Sequence, residues 1–408
     1  MIALLGLSVF ILLAWGLSEK KKHVPWKFVF KALLLQFGIA LLLLKVPLFV
    51  GLFSKLNGFV LILQDVTTQA TGFLFGYLAG SPAPFQIVQP ENNFIVAIRV
   101  LPLILVVSAL SAVLFHWRIL PALVHGLAFV LKKILGISGA LGFGGASTVF
   151  FGTIEAPLLV RPYLKGFNRA DLFALITCSM TTISGTVMVL YASVLEKVVP
   201  NALSHLLIAS IMSVPAAMIM ARIVVPPDPI NSDEKENIKI KSPYLGTMDA
   251  LLKGISEGIN IILSILGVIL VFFALIYLLN KGLSLLSPEI TLEGILGTLL
   301  RPVMWLTGIS WSESNEAARL MGTKIALNEF VAFLELSKIY QSLSGQGRTI
   351  LTYALCGFAN FASVGIIVGG LTAILPERQQ EIAGLTFKSL ITGNLATLMT
   401  AAIAGLFL

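Results

Sequence analysis

Long apolar runs separated by short polar stretches dominate the chain, and their lengths predict a membrane-spanning helical bundle. A spanning helix needs about 20 mostly apolar residues. Runs of this kind lie at roughly 2–18, 28–53, 94–115, 172–195, 202–224, 258–280, 348–374 and 383–407, which gives about eight spans. Residues 57–80 are apolar but interrupted by Asp65, Thr67, Thr68 and Gln69, and are expected to form a helix at the outer interface. Two further segments, 136–165 and 300–340, are long enough to cross but carry breaks. The first contains Thr153, Glu155 and Pro157 within FFGTIEAPLL (150–159), and the second contains GTKIALNEFVAFLEL (322–336).

Composition agrees with this pattern. Of 408 residues, 57% are hydrophobic and 12% charged, with a mean hydropathy of +0.94, whereas soluble domains carry about 25% charged residues. The formal net charge of +8 does not point to nucleic acid, because the basic residues form short clusters between apolar runs, such as EKKKH at 19–23. Clusters of that kind orient a protein in the bilayer. Lys20, Lys21, Lys22 and Lys27, then Arg118, Lys132 and Lys133, then Arg161, Lys165 and Arg169 are assigned to the cytoplasmic side. The loop 81–93 has no Lys or Arg and is assigned outside. The first run is apolar before it is basic, the reverse of a signal peptide. It is therefore a first span with its N-terminus outside, and eight spans place the C-terminus outside too. Cys178 and Cys356 lie within apolar runs and form neither a disulfide framework nor a metal pair. No two of the four histidines share metal-ligand spacing, and the glycines at 139, 142, 144 and 145 lack the context of a phosphate loop.

Charge also decides the path of the broken segments. Lys132 and Lys133 precede 136–165, and Arg161, Lys165 and Arg169 follow it. A single crossing would put these clusters on opposite faces, so a re-entrant hairpin is favoured. By parity the hairpin within 300–340 enters from the other side. Each hairpin carries one intramembrane Glu and is followed about thirty residues later by a small polar cluster, MTTISGT (180–186) or GFANFASVG (357–365). This is the trace of an inverted repeat with a binding site at the midplane. Gly185, Gly357 and Gly365 predict that the helices carrying those clusters are discontinuous as well. The implied organisation is residues 1–93, N-terminal helices and outer interfacial helix; 94–225, third span, interfacial helix, first hairpin and first repeat; 226–257, cytoplasmic linker and amphipathic helix; and 258–408, scaffold span, second hairpin and second repeat.

The breaks have a local physical logic. Ala156 is biased away from helix by Pro157, and Pro suits a first helical position, so a half-helix is expected to start at Pro157. Asn328 is a candidate N-cap for a half-helix beginning at Glu329. Both carboxylates then lie at positive helix ends. They still cost about 2.5–3.5 kcal/mol each to insert, which makes them functional candidates by default. Hydrogen-bonding glue between helices is the competing explanation. It weighs more for Asn360 and Ser363, and more again for Thr148, Thr182 and Ser184, because small polar residues often bond across membrane helices.

At these residues the chain resembles the concentrative nucleoside transporter family, bacterial type. The resemblance covers roughly 94–408 most closely and rests on GTIEAPLLVRPYL, MGTKIALNEFVAF, TYALCGFANFASVGI and TFKSLITGNLATLMTAAIAG. It implies an all-α integral membrane protein of eight transmembrane helices and two oppositely oriented re-entrant hairpins, assembled as a homotrimer in the plasma (inner) membrane. It implies inward symport of nucleosides with Na⁺ or H⁺ by an elevator-type movement, with no other cofactor. On the ribose side it places Glu329, Asn360, Ser363 and Phe358, and on the base side Thr153, Ile154 and Glu155. A carboxylate accepts from two sugar hydroxyls, while Asn and Ser both donate and accept. A coupling cation is placed near Thr148, the Phe151 carbonyl, Thr182 and the Ile183 carbonyl. The sequence departs from the family at two points. Thr153-Ile154 stands where Gln-Thr or Gln-Ser is usual, which removes an amide able to read a base edge. Thr148 stands where the sodium site often has Asn, which leaves proton coupling through Glu155 open.

Other classes fit less well. A non-transporting gate or scaffold protein shares the hairpin arrangement but has no need of Glu329, Asn360 and Ser363 together; a non-standard nucleoside-like substrate remains the nearer alternative. An enzyme is not expected, since no nucleophile, metal set or HExxH accompanies the two glutamates.

Overall fold

A computed structural model describes residues 2–86, 94–227, 242–285, 287 and 290–408. All regular structure among them is helical. The first third comprises α1 (Ile2–Gly16), α2 (Trp26–Lys45), α3 (Pro47–Phe75), α4 (Val96–Arg99), α5 (Leu103–His116) and α6 (Ile119–Leu135). The first hairpin and repeat comprise α7 (Gly139–Ser147), α8 (Glu155–Leu159), α9 (Arg161–Leu164), α10 (Arg169–Thr181), α11 (Gly185–Leu195) and α12 (Ala202–Val224). Next come α13 (Thr247–Leu283) and α14 (Leu292–Leu306), then the second hairpin, α15 (Ser314–Ala326) and α16 (Glu329–Ile339). A second broken helix, α17 (Gly345–Leu355) and α18 (Phe361–Ile374), leads to the final helix α19 (Gln379–Phe407). Seven of these stretches are long and apolar enough to cross a membrane, and Ile2–Gly16 and Phe361–Ile374 are shorter apolar helices.

Every expected break is present. The hairpin arms are separated at 148–154 and 327–328, and the two following helices are interrupted at 182–184 and 356–360. The second hairpin turns as its cap predicts: the Asn328 side chain accepts from the Val331 amide at 3.0 Å, and α16 begins at Glu329. Asn360 repeats the device, accepting from the Ser363 amide at 2.8 Å to open α18. The first hairpin differs from expectation in one detail. Its second arm starts at Glu155, not Pro157. Pro157 is the third helical residue, still within the first turn, where a missing N–H breaks no intrahelical bond.

The hairpins open toward opposite ends of α12. At the N-terminal end of α12, Arg348 donates to the Val198 carbonyl at 3.2 Å, and the Ser344 amide, just before α17, donates to Glu313 at the start of the second hairpin at 2.7 Å. At its C-terminal end, the Glu19 amide donates to the Val224 carbonyl at 2.9 Å, and Glu19 pairs with Arg169 at the start of α10. Lys388 of α19 also pairs with Glu19, and Lys165 pairs with Glu377. The basic loop that follows the first hairpin thus meets the 19–23 cluster at one end of the bundle.

Helix α13 packs along α5 through Gly254 and Gly258, one turn apart. A Cβ at Gly254 would lie 2.7 Å from the Ala109 Cα and at Gly258 3.1 Å from the Leu105 Cα, so small residues are needed for the backbones to approach. Several expected boundaries change. The 28–53 run is not one helix: α2 ends at Lys45, and Pro47, at the first helical position, opens α3. Residues 57–80 are not a separate interfacial element, since α3 and a short 3₁₀ turn continue from Pro47 to Ala79. Residues 300–306 belong to α14, so the second hairpin starts at Ser314. The amphipathic segment ending at 257 and the span from 258 are one helix of 37 residues. At 1.5 Å per residue that is about 55 Å, well beyond a ~30 Å hydrocarbon core, so part of α13 projects or tilts. Its first turns carry an i, i+4 ion pair, Lys253 to Asp249 at 2.9 Å. The linker expected on the cytoplasmic side lies largely outside the described residues, as does much of the 81–93 loop.

Candidate functional site

Glu329 is the centre of the polar interior. It opens α16 and is only 3% exposed. One carboxylate oxygen accepts from the Tyr191 hydroxyl at 2.6 Å, and the other from the Asn360 side-chain amide at 2.9 Å. Both donors come from the broken helices, Tyr191 from α11 and Asn360 from the break before α18. Asn360 uses its oxygen to cap α18 at Ser363, so its amide is fixed toward Glu329. Ser363 is buried beside it and Phe358 is half-buried in the same break. The four residues expected on the ribose side therefore lie at one hairpin tip, in the break that faces it and in the first turn of α18. A carboxylate has about four lone-pair sites. These two side-chain bonds leave the carboxylate acceptor capacity to spare.

Tyr191 and Lys324 belong to this cluster, and sequence reasoning missed both. The Tyr191 ring packs between Phe330 and Phe333, at centroid separations of 5.9 and 5.1 Å. Lys324, fully buried on α15, donates to the Ala354 carbonyl at 2.9 Å and to the Thr397 hydroxyl at 3.3 Å. A signal existed for each. An ionisable residue inside a hydrophobic segment is a functional candidate, and a lone Tyr in such a segment needs a partner for its hydroxyl.

The first hairpin approaches the same region from the other end. The Phe150 carbonyl accepts from the Gly185 amide at 3.1 Å, which ties this hairpin tip to the start of α11. Tyr191 lies six residues further along α11, about 9 Å of helix rise. The two hairpin tips are thus both attached to one half-helix, the first at its start and the second at Tyr191. A Cβ at Gly357 would lie 2.9 Å from the Thr181 carbonyl oxygen, so the two breaks also touch. Thr153 and Ile154 are half-buried, and the Ile154 side chain packs on α18 at Gly370, where a Cβ would meet it at 2.5 Å. Glu155 is exposed, with its carboxylate folded over Gly152. Phe151 stacks edge-on against Phe115 of α5 at 5.4 Å.

Of the residues expected around a cation, Thr148, Thr182 and Ile183 are buried and Phe151 is half-buried. Thr148 and Thr182 donate their hydroxyl protons to Gly145 and Cys178 carbonyls in their own helices, at 2.7 and 3.0 Å. Their lone pairs remain available. The Phe151 and Ile183 carbonyls accept no backbone bond between segments among the described residues. Neutral oxygens at the negative end of half-helix α10 suit a hard monovalent cation.

Three family models match successive parts of the chain. The N-terminus of Na⁺ dependent nucleoside transporters matches residues 5–78, nucleoside recognition gate domains match 97–198, and the C-terminus of Na⁺ dependent nucleoside transporters matches 205–405. Nucleoside permease NupC of Helicobacter pylori is 32% identical over 416 residues, covering 100% of this chain and 97% of that protein. The chain belongs to the Na⁺ dependent nucleoside transporter family. It is also 33% identical to putative nucleoside permease NupX of Escherichia coli, across 98% of that protein. Sodium/nucleoside cotransporter 1 of rat is 29% identical, and the match spans 63% of its length. Among solved structures, CNTnw in an inward-facing substrate-bound state superposes with a TM-score of 0.90 at 33% identity, covering 100% of this chain and 97% of that one. The family consists of multi-pass membrane transporters, not enzymes.

Proposed function

We propose that this protein carries nucleosides inward across the membrane, driven by a cation moving down its gradient. The observation that carries the reading is the Glu329 carboxylate, buried at a half-helix start and bonded by Tyr191 and Asn360. A buried anion with lone pairs to spare fits a polyol, and Glu329, Asn360, Ser363 and Phe358 form its ribose subsite. The base lies toward the first hairpin, at Thr153, Ile154 and Glu155. With Ile154 packed on Gly370, the polar groups offered to a base are the Thr153 hydroxyl and the Glu155 carboxylate. Base selection is accordingly broad.

Sodium is the coupling ion favoured by the donor set of Thr148, Thr182 and the Phe151 and Ile183 carbonyls, all neutral oxygens. The exposed Glu155 supports proton coupling as the second reading. Alternating access is an elevator-type displacement in which the two hairpins and broken helices move as one body past α5 and α13. The little-buried apolar faces of α3 and α13 are the surfaces open to lipid and to the neighbours of a homotrimer. The gathering of basic loops near Glu19 supports a cytoplasmic location for that end, with both termini outside.

The test is uptake of radiolabelled uridine and adenosine into proteoliposomes under an imposed sodium or proton gradient. Accumulation of both nucleosides under a sodium gradient is expected. Accumulation under a proton gradient alone would transfer the coupling to Glu155, and no gradient-dependent accumulation of either would reject the function.

A further inference from the structure

Lys324 is a buried charge for which the transport scheme above has no use. It is fully buried, and both its acceptors are neutral. Ala354 lies in the last turn of α17, so its carbonyl is among those left without an intrahelical partner where the helix stops. An ammonium there meets the negative end of a half-helix. Thr397, the second acceptor, touches the same break, since a Cβ at Gly357 would lie 2.9 Å from the Thr397 methyl carbon. One side chain therefore pins hairpin α15–α16, the end of α17 and helix α19 at a single point. Chain from this point leads directly to the sugar site. Glu329 follows Lys324 by one helical turn and a cap, within its electrostatic reach. Asn360 closes the break that Lys324 anchors.

The internal repeat gives this position a counterpart. The offset of 174 residues that relates Glu155 to Glu329 also relates Thr182–Ser184 to Cys356–Phe358. In the first half, the end of α10 at that break meets its hairpin through neutral oxygens, the candidate cation site. In the second half, the end of α17 meets its hairpin through an ammonium on a carbon stem.

We propose that Lys324 is a tethered cation and a positioning residue. It holds in the second repeat the place a mobile ion takes in the first, and so keeps Asn360 and Glu329 at the spacing that grips vicinal hydroxyls. The comparison with the first repeat rests on the coupling-ion reading, and the positioning role rests on the contacts of Lys324 itself.

Binding of uridine and of 2′,3′-dideoxyuridine to the purified full-length protein in detergent, in saturating sodium, tests this. Wild type should prefer uridine by more than tenfold. Lys324→Met, which keeps the length and removes the charge, should bind uridine at least thirtyfold more weakly and lose the preference to below threefold. Loss of packing alone would lower the yield of folded protein without collapsing that ratio. Thr397→Val removes one acceptor and should give an intermediate ratio. Uridine affinity of Lys324→Met within threefold of wild type, or weaker binding with the preference intact, would overturn the proposal. If Lys324→Met does not fold, an unchanged ratio in Thr397→Val does so instead. Wild type that binds neither ligand would overturn the nucleoside reading, a distinct result.

Discussion

Replacing Glu329 by Gln separates recognition from folding at the centre of the site. The amide has the shape of the carboxylate but carries one acceptor oxygen and one donor nitrogen. Tyr191 and Asn360 now each donate to one carboxylate oxygen, at 2.6 and 2.9 Å. In the variant one of them faces an NH₂ group, and the site has no anion left for the sugar. Hydrogen bonds to charged groups contribute about 1.5–3 kcal/mol each. Losing two such bonds to ribose hydroxyls gives about 3–6 kcal/mol, or roughly a hundred- to ten-thousandfold in affinity at 1.4 kcal/mol per decade. The loss should be the same for uridine and adenosine, because the sugar anchor serves every base. Calorimetric binding to purified protein measures it directly. Thermal unfolding supplies the control: ligand at 100 times Kd stabilises wild type by about 2.7 kcal/mol, and the variant should show no such shift while remaining folded without ligand. A change below tenfold, or a loss confined to one base, would refute the assignment of Glu329 to the sugar.

Tyr191→Phe keeps the ring packed against Phe330 and Phe333 and removes one charge-assisted bond, so nucleoside affinity should fall about ten- to hundredfold, measured by the same titration; an unchanged affinity would exclude Tyr191 from the site. Gly357→Ala places a methyl group 2.9 Å from both the Thr181 oxygen and the Thr397 methyl carbon at a φ of +156°, and a loss of about 1–3 kcal/mol is expected, read as a lower melting temperature. At the end of the bundle, hydrogen bonds from Arg169 and Lys388 hold the Glu19 carboxyl down at about 2, from an ordinary 4.5. A depressed carboxyl pKa stabilises the fold fully above the ordinary value, and that contribution is lost as pH falls through the folded one. Glu19→Gln should therefore lower the melting temperature at neutral pH, and its difference from wild type should shrink between about pH 4.5 and 2, as thermal unfolding across that range will show.

The sequence alone marked the long apolar runs and the interruptions at the two hairpins and the helices after them, because those features are local. In hydrocarbon every backbone group must be satisfied within the segment, which forces long apolar runs into helices and restricts breaks to polar interiors. Asn328 before Glu329 announces a half-helix start through a cap that needs only three residues, and the structure repeats the device at Asn360. The two glutamates stood out by the cost of burying them. Only the tertiary structure decided which groups those carboxylates meet. Tyr191 reaches Glu329 across 138 residues, and Lys324 reaches Thr397 across 73. A hydrophobic run does not say which distant hydroxyl or carbonyl its lone polar side chain will find. The continuity of α13 through residue 257 and the start of α3 at Pro47 were also decided there. Hydropathy marks the depth of a segment in the membrane, whereas helix ends outside the core are set by packing against α5 and by the turn at Val46. Glu329, Asn360 and Ser363 were legible as candidates in the sequence, Tyr191 and Lys324 were not read as such, and the fold brought two broken helices and a hairpin tip to one carboxylate.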